Sequence, residues 1–329
     1  MRLRALICLT LLSAPLSAQD GMFKLWTRDT IHSRKLNEGR TILVSTPADY
    51  AQGTDRFPVL VILDADDQPQ FHLAIANVRF LASRGTIPGM IVVGIPNGKD
   101  RLHDLSPPAT GKDAKEHPNA GGAAAFADFL IDEVMPLVRK KYRTLPATIL
   151  AGHSLGGLVA LELATKRPGV FTGVIAMSPS LWWNDSSLVG TYYDALAKSS
   201  KQQRIFVTSG GFEDIIDRPT QRLALRLDSL KSSTIAFGHR RYPEDDHGLT
   251  PAPSLVDGLR FIFEPISVMK LPIFAPGSDS AGIVRAVNES LNQYAAAART
   301  FGLDERLPMT QLNQLGYNLI HDLRMPLAV

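Results

Sequence analysis

The segment GHSLG at positions 152–156 lies between a short apolar run and an amphipathic stretch. Residues 147–151 are apolar enough for a buried strand, and residues 155–166 repeat apolar side chains at helical spacing. A sharp turn between two such elements leaves room only for small side chains on either side of Ser154. The pattern therefore predicts that this serine projects above a sheet, at the amino end of a helix, where developing negative charge is favoured.

A G-x-S-x-G turn between a strand and a helix is typical of the nucleophile elbow of α/β hydrolases. The motif alone also occurs as a glycine-rich turn with an incidental serine. Here the strand, the helix and suitable residues downstream favour the elbow. We therefore predict that Ser154 is a nucleophile and that an acid and then a histidine follow it along the chain.

The acid is expected just after the predicted strand at 204–208, where Gly210 and Gly211 form a turn. Glu213 is the first carboxylate past these glycines and is the predicted acid. Asp214 and Asp217 are the alternatives, although acids at these positions are also typical of the first turn of a helix.

The predicted histidine is His247, because among the eight histidines it alone follows a final strand at a glycine-bearing turn. A surface histidine among acidic residues is the alternative interpretation. In the catalytic interpretation, His247 takes the Ser154 proton and later returns it to the leaving alcohol. Glu213 orients the imidazole and stabilises its charged form.

Two backbone N–H groups are expected to bind the oxyanion of the tetrahedral intermediate. One belongs to Leu155, the residue after the nucleophile. The other is expected in the loop after the strand at 57–63, where Asp66 is the first choice and Ala65 the second.

The rest of the chain alternates strands and helices, which predicts an α/β-hydrolase fold: a mostly parallel central sheet with helices on both faces. A long polar loop is expected at 98–120. Strands are predicted at 40–46, 57–63, 90–95, 147–151, 173–177, 204–208 and 234–242, and helices at 71–81, 126–142, 155–166, 188–197, 220–230 and 254–263.

The N-terminus has the features of a secretory signal peptide at residues 1–18, with basic residues, an apolar core and a small-residue cleavage site before Gln19. A buried helix or a membrane anchor is the alternative, but the apolar run is too short to span a bilayer. Cys8, the only cysteine of the 329 residues, would be removed with it. We therefore predict a periplasmic or secreted protein without disulfides or cysteine-based metal sites.

Several further segments resemble the putative-esterase family of α/β hydrolases, which includes esterase D-like enzymes, siderophore esterases and mycolyltransferases. The resemblance runs from about 41 to 264, and one departure is Ala65, where relatives often have glycine. It implies an esterase activity. The segments that carry the resemblance are VILD at 61–64, GIPN at 94–97, Arg101 with DLSP at 104–107, GHSLGG at 152–157, SPSLWW at 178–183 and DHG at 246–248.

Three side chains are candidates for substrate contact. Trp182 and Trp183 follow a strand beside the nucleophile strand, so they either line a pocket for an acyl or aromatic group or pack in the core. Arg101 either pairs with Asp104 to order the long loop or binds an anionic substrate.

The tail differs from the preceding domain, which we assign to residues 19–268. Residues 269–329 are predicted to be a linker and a helical extension, with helices at 290–301 and 312–323. The residues at 312–317 resemble the first helix of a tetratricopeptide repeat. One partial repeat has no core of its own, so the tail is expected to dock on the hydrolase, pair with a second copy or begin a longer array.

These features predict an exported serine hydrolase that cleaves carboxylic esters of small molecules through an acyl-enzyme. An acyltransferase with the same triad and a non-catalytic protein on this scaffold are the alternatives. The formal charge of +3 falls by two without Arg2 and Arg4, so it gives no reason to expect nucleic acid as a partner. The sequence has no phosphate-binding loop and no H-E-x-x-H metal motif, so neither a cofactor nor a metal is predicted.

Overall fold

A computed structural model describes residues 25–66, 68–274 and 279–323. The predicted signal peptide lies outside these residues, as does part of the predicted linker. The strands are β1 Thr27–Ser33, β2 Glu38–Ser45, β3 Phe57–Leu63, β4 Ile91–Ile95, β5 Thr144–His153, β6 Gly173–Met177, β7 Gln203–Gly210 and β8 Ile235–Tyr242. The helices are α1 Gln68–Ser83, α2 Arg101–Asp104, α3 Asp113–Glu116, α4 Ala123–Phe129, α5 Met135–Lys141, α6 Leu155–Lys166, α7 Leu188–Ala197, α8 Asp214–Asp228, α9 Pro251–Phe263, α10 Ser280–Phe301 and α11 Met309–Leu323.

The strands form one eight-stranded sheet in the order β1-β2-β4-β3-β5-β6-β7-β8. Strands β3 to β8 are parallel, whereas β1 and β2 are antiparallel to their neighbours. The predicted α/β-hydrolase fold is thereby confirmed. Strand β1 was missed because its outer face is largely exposed and polar, so it lacks the apolar run that indicates a buried strand.

Helices cover both faces of the sheet and bury two hydrophobic cores. One core packs α4 to α7 and part of α8 against side chains such as Val61 and Leu63, and the other packs α1, α9 and α10 against side chains such as Leu60 and Ile62. Because consecutive residues of a strand point to opposite faces, and both faces are covered, β3, β4 and β6 carry no polar side chain at any position. This arrangement leaves the carboxyl ends of the parallel strands free to carry a site.

Some helix bounds differ from the predicted ones. The predicted helix at 126–142 is two α-helices, α4 and α5, joined without a break by a π-helical turn at Leu130–Val134. Helix α8 begins at Asp214 instead of 220, although Pro219 lies inside it, and α10 begins at Ser280 instead of 290. The long loop at 98–120 contains the two short helices α2 and α3.

The tail docks on the preceding part of the chain, which is one of the three arrangements expected for it. Phe301 in α10 packs against Phe263, the last residue of α9, with ring centroids 5.1 Å apart. In α11, Gln311 Nε2 donates to the carbonyl oxygens of Ile266 at 2.7 Å and Gly85 at 3.2 Å. The tail therefore shares a core with the preceding residues.

Replacement of Phe301 by alanine is expected to lower the free energy of unfolding by about 3–5 kcal/mol, because it leaves a cavity in this shared core. Phe301 is 2% exposed. Denaturant unfolding measures the effect, and Val284→Ala is the control, because Val284 lies in the same helix and is 57% exposed. A loss below about 1 kcal/mol would show that the tail does not stabilise the fold.

Candidate active site

Ser154 occupies a strained turn between β5 and α6. Its φ is 59° and its ψ is −118°, in a region that residues with a Cβ rarely adopt. A Cβ at Gly152 would lie 2.3 Å from the carbonyl oxygen of Gly156, and one at Gly157 would lie 3.1 Å from the carbonyl oxygen of Gly152. The glycines of the motif thus permit the close approach of strand and helix that the sequence predicts.

An acid and a histidine meet beyond the carboxyl ends of the neighbouring strands. His247 Nδ1 lies 2.6 Å from Glu213 Oε2, and the other carboxylate oxygen accepts hydrogen bonds from the Gly210 N–H and from Ser178 Oγ. Burial tends to raise the pKa of Glu213, but the bonds from His247, Gly210 and Ser178 outweigh it, so the pKa lies below its usual value. The carboxylate is therefore ionised and oriented at neutral pH.

The other two acids considered have different partners. Asp214 is largely exposed and pairs with Arg218 at 3.0 Å. Asp217 is buried, but its carboxylate accepts from Ser209 at 2.6 Å and from Arg241 at 2.9 Å. Among the three acids, Glu213 is the one bonded to a histidine.

The Ser154 hydroxyl lies 3.2 Å from Ser180 Oγ, and within the described part of the chain it makes no hydrogen bond to His247. His153 packs against His247 with ring centroids 4.3 Å apart. Burial, and to a smaller extent the neighbouring His247, lowers the pKa of His153 to about 4. The ring that packs on His247 is therefore neutral at pH 7.

The loop after β3 is held by a residue to which the sequence assigned no role, Asn97. Its Nδ2 donates to Asp64 Oδ1 and Asp66 Oδ1, both at 2.9 Å, and its backbone N–H also donates to Asp66 Oδ1. The Ala65 N–H donates to the Ile95 carbonyl at 3.2 Å, so it is not free to bind an oxyanion. Between the two predicted donors in this loop, the geometry favours Asp66. Asn97 is the last residue of the GIPN segment at 94–97, and its place in that segment is the sequence feature that could have indicated a role for it.

The expected pair between Arg101 and Asp104 is wrong. Arg101 instead donates two hydrogen bonds to the carboxylate of Asp64, from Nε at 2.5 Å and from Nη2 at 2.8 Å. Asp104 accepts from Arg40 Nη1 at 2.6 Å. Asp64 and Arg40 are far from the loop in sequence, so local spacing could not identify these pairs.

Replacement of Arg101 by glutamine is expected to lower kcat about 3- to 10-fold with little change in KM, because the partly exposed ion pair fixes the loop that carries Asp66. Steady-state kinetics on a neutral and an anionic ester measure the effect. Lys99→Gln is the matched control, since it removes an exposed charge two residues away. A rise in KM confined to the anionic ester would instead indicate substrate contact by Arg101.

The two tryptophans differ in accessibility. Trp183 is fully buried in the hydrophobic core, and the His117 ring stacks on it at 5.3 Å and 19°. The substrate-contact expectation for Trp183 is therefore corrected to core packing. Trp182 is only partly buried and stays a candidate.

Within residues 25–66, 68–274 and 279–323, no three side chains of histidine, cysteine, aspartate or glutamate are placed to hold a metal ion. In the same residues, no helix is long and apolar enough to cross a bilayer.

The family model described as Putative esterase matches residues 33–239. The chain is 29% identical over 198 residues to the siderophore enterobactin esterase of Emericella nidulans, covering 49% of this chain and 65% of the relative. It is 29% identical over 256 residues to the ferri-bacillibactin esterase BesA of Bacillus subtilis, and this alignment covers 70% of this chain and 87% of the relative. The chain thus spans less than two thirds of the fungal relative and most of the bacterial one.

Among solved structures, the fold is similar to an IroE-like serine hydrolase from Shewanella oneidensis. The TM-score is 0.68 at 26% identity, and the alignment covers 89% of this chain and 99% of the other.

Proposed function

Because the chain belongs to the Putative esterase family of carboxylic ester hydrolases, we propose that it hydrolyses esters through an acyl-enzyme on Ser154, with Glu213 and His247 completing a triad. The observation that carries the proposal is the 2.6 Å contact between His247 Nδ1 and Glu213 Oε2, beside a serine in a strained turn at the start of a helix. A histidine held by a carboxylate through Nδ1 is one part of the geometry that serine hydrolases of unrelated folds share.

In the proposed reaction, the Ser154 hydroxyl turns from Ser180 towards His247, which takes its proton through Nε2 as Oγ attacks the ester carbonyl. Glu213 stays ionised and stabilises the imidazolium through Nδ1. The tetrahedral intermediate expels the alcohol, which takes the proton from His247. Water activated by the same imidazole then hydrolyses the acyl-enzyme and releases the acid.

The oxyanion is proposed to bind the backbone N–H groups of Leu155 and Asp66. Leu155 is the first residue of α6, where the helix leaves its N–H groups without intrahelical acceptors. Hydrogen bonds from Asn97 and Arg101 to the carboxylates of Asp66 and Asp64 hold the loop after β3 in place, which supports the Asp66 N–H as the second donor. Loss of one such donor typically costs about 3 kcal/mol of transition-state stabilisation.

For the substrate, we propose an ester of a siderophore, because one relative is named a siderophore enterobactin esterase and another a ferri-bacillibactin esterase. Trp182 is the aromatic side chain proposed to contact it. The test is hydrolysis of three ester sets: enterobactin and bacillibactin, each with and without iron, short activated acyl esters, and acylated sugars. A kcat/KM at least tenfold higher for enterobactin or bacillibactin is expected, and equal or higher values for the acylated sugars would contradict the siderophore assignment.

We further propose that the protein is exported and that the mature chain begins at Gln19. The support is the charged, apolar and small-residue order of positions 1–18. The mass of the protein recovered from a periplasmic or culture fraction tests the cleavage site. Recovery of the full-length chain from the cytoplasm alone would contradict export.

A further inference from the structure

The segment Ser178–Pro179–Ser180 follows β6, whose neighbours in the sheet are β5, which leads to the nucleophile, and β7, which leads to the acid. The Ser180 N–H donates to the backbone carbonyl of Ser154 at 3.1 Å. At the other end, Ser178 Oγ donates to Glu213 Oε1 at 2.6 Å. One turn therefore contacts two of the three proposed catalytic residues.

Ser178 has an unusual backbone conformation. Its φ is 43°, which is unfavourable for a residue with a Cβ, and the side chain is fully buried. The Ser178 N–H is fixed by a 3.1 Å hydrogen bond to the carbonyl of Thr208 in β7. Strain of this kind persists where the surrounding structure imposes it, and it often accompanies a functional constraint. Here the strained residue is the one that reaches the acid.

The hydroxyl of Ser178 has a defined set of partners. It lies 2.8 Å from Thr250 Oγ1, which in turn lies 3.2 Å from the carbonyl oxygen of His247. An ionised carboxylate only accepts hydrogen bonds, so the single Ser178 proton is directed at Glu213. Thr250 is also fully buried and supplies the second contact of the Ser178 oxygen. Ser178 therefore links the acid to the loop that carries the base.

We propose that Ser178 is a positioning residue whose hydroxyl holds the Glu213 carboxylate so that Oε2 faces His247 Nδ1. With the Gly210 N–H, it occupies Oε1 and stops the carboxylate from turning about its terminal bond. Oε2 is then left for the imidazole. Ser178 acts only through Glu213, so this inference rests on the proposed function.

The first test compares Ser178→Ala with Ser178→Gly. Both remove the hydroxyl, but glycine also relieves the strained φ. Both variants are expected to lower kcat about 10- to 100-fold on an activated ester, with KM changed less than about threefold, because a bond to a charged acceptor is lost. If Ser178→Gly keeps the wild-type kcat, the hydroxyl is not needed for catalysis and position 178 matters only for its backbone conformation. That result overturns the proposal.

The matched control is Ser209→Ala. Ser209 is also fully buried and donates to a buried carboxylate at 2.6 Å, but that carboxylate belongs to Asp217. This variant is expected to lose folding stability while keeping kcat within about threefold of wild type. A loss of kcat equal to that of Ser178→Ala would show that any buried serine bond near β7 has this effect, and it would overturn the proposal.

The decisive test is a double-mutant cycle with Glu213→Ala. Without the carboxylate, Ser178→Ala is expected to lower kcat less than about threefold further, because Ser178 has nothing to position. Equal losses in both backgrounds would refute action through Glu213. Ser154→Ala is measured in the same assay, and full activity in that variant would refute the proposed function. A wild-type kcat in the Ser178 variants, together with a large loss of kcat in Glu213→Ala, would refute this inference alone.

Discussion

Replacement of Ser154 by alanine is expected to lower kcat on an activated ester by about 10⁶-fold, the size of the loss when a serine-hydrolase nucleophile is removed. The physical reason is that the reaction needs a nucleophilic oxygen at the amino end of α6, and alanine at position 154 supplies none. Folding should be retained, because alanine is smaller and keeps the Cβ that the turn already accommodates. Steady-state kinetics and circular dichroism measure the two effects.

The same serine should be the point of covalent modification. A fluorophosphonate is expected to add to Ser154 of the wild-type protein, and mass spectrometry of the digested protein locates the adduct. Ser180→Ala is the companion variant, because Ser180 Oγ lies 3.2 Å from Ser154 Oγ, and it is expected to keep the adduct at Ser154. An adduct at Ser180, or ester hydrolysis at the wild-type rate by Ser154→Ala, would assign the nucleophile elsewhere.

Replacement of Glu213 by glutamine is expected to lower kcat about 10⁴-fold, because the amide no longer stabilises the charged imidazole and favours the wrong tautomer. The side chain is almost fully buried and bonded directly to His247. Because glutamine is nearly the same size, the change should leave the packing of the turn intact. The measured quantities are kcat and KM on the activated ester.

Asp214→Asn and Asp217→Asn are the matched controls for this prediction. Asp214 is exposed, so its variant should keep kcat within about threefold of wild type. Asp217→Asn should lose stability, because it weakens the bonds to Ser209 and Arg241, but it should keep catalysis. A larger loss of kcat in either control than in Glu213→Gln would move the acid of the triad to that position.

The parts of the fold that were predictable have periodic or motif signals. The apolar runs of β3 and β6 and the bounds of α6 and α7 follow directly from side-chain spacing. The three residues proposed as the triad were chosen from sequence, because topology sets their order and places each after a particular strand, and their catalytic roles stay a prediction.

The parts that were not predictable depend on contacts between distant segments. Arg101 was assigned to the wrong carboxylate because its partner, Asp64, lies 37 positions earlier and meets it only in the folded sheet. Trp183 was considered for the pocket because sequence places a residue near a strand end without giving the direction of its side chain. Ser178 had no assigned role for the same reason: its bond to Glu213 joins the ends of two strands.

The position of α11 has a practical consequence for attaching the protein to surfaces. Gln311 in this helix bonds to the carbonyl of Gly85, in the loop that leads into the amino end of β4. Ser154 lies beyond the carboxyl end of β5, and β4 and β5 are both parallel to β3. A thiol introduced by Tyr317→Cys, at a side chain that is 68% exposed, would be unique after residue 18. Immobilisation through this thiol would leave the edge of the sheet at the carboxyl ends of the parallel strands, where Ser154 lies, open to substrate in solution.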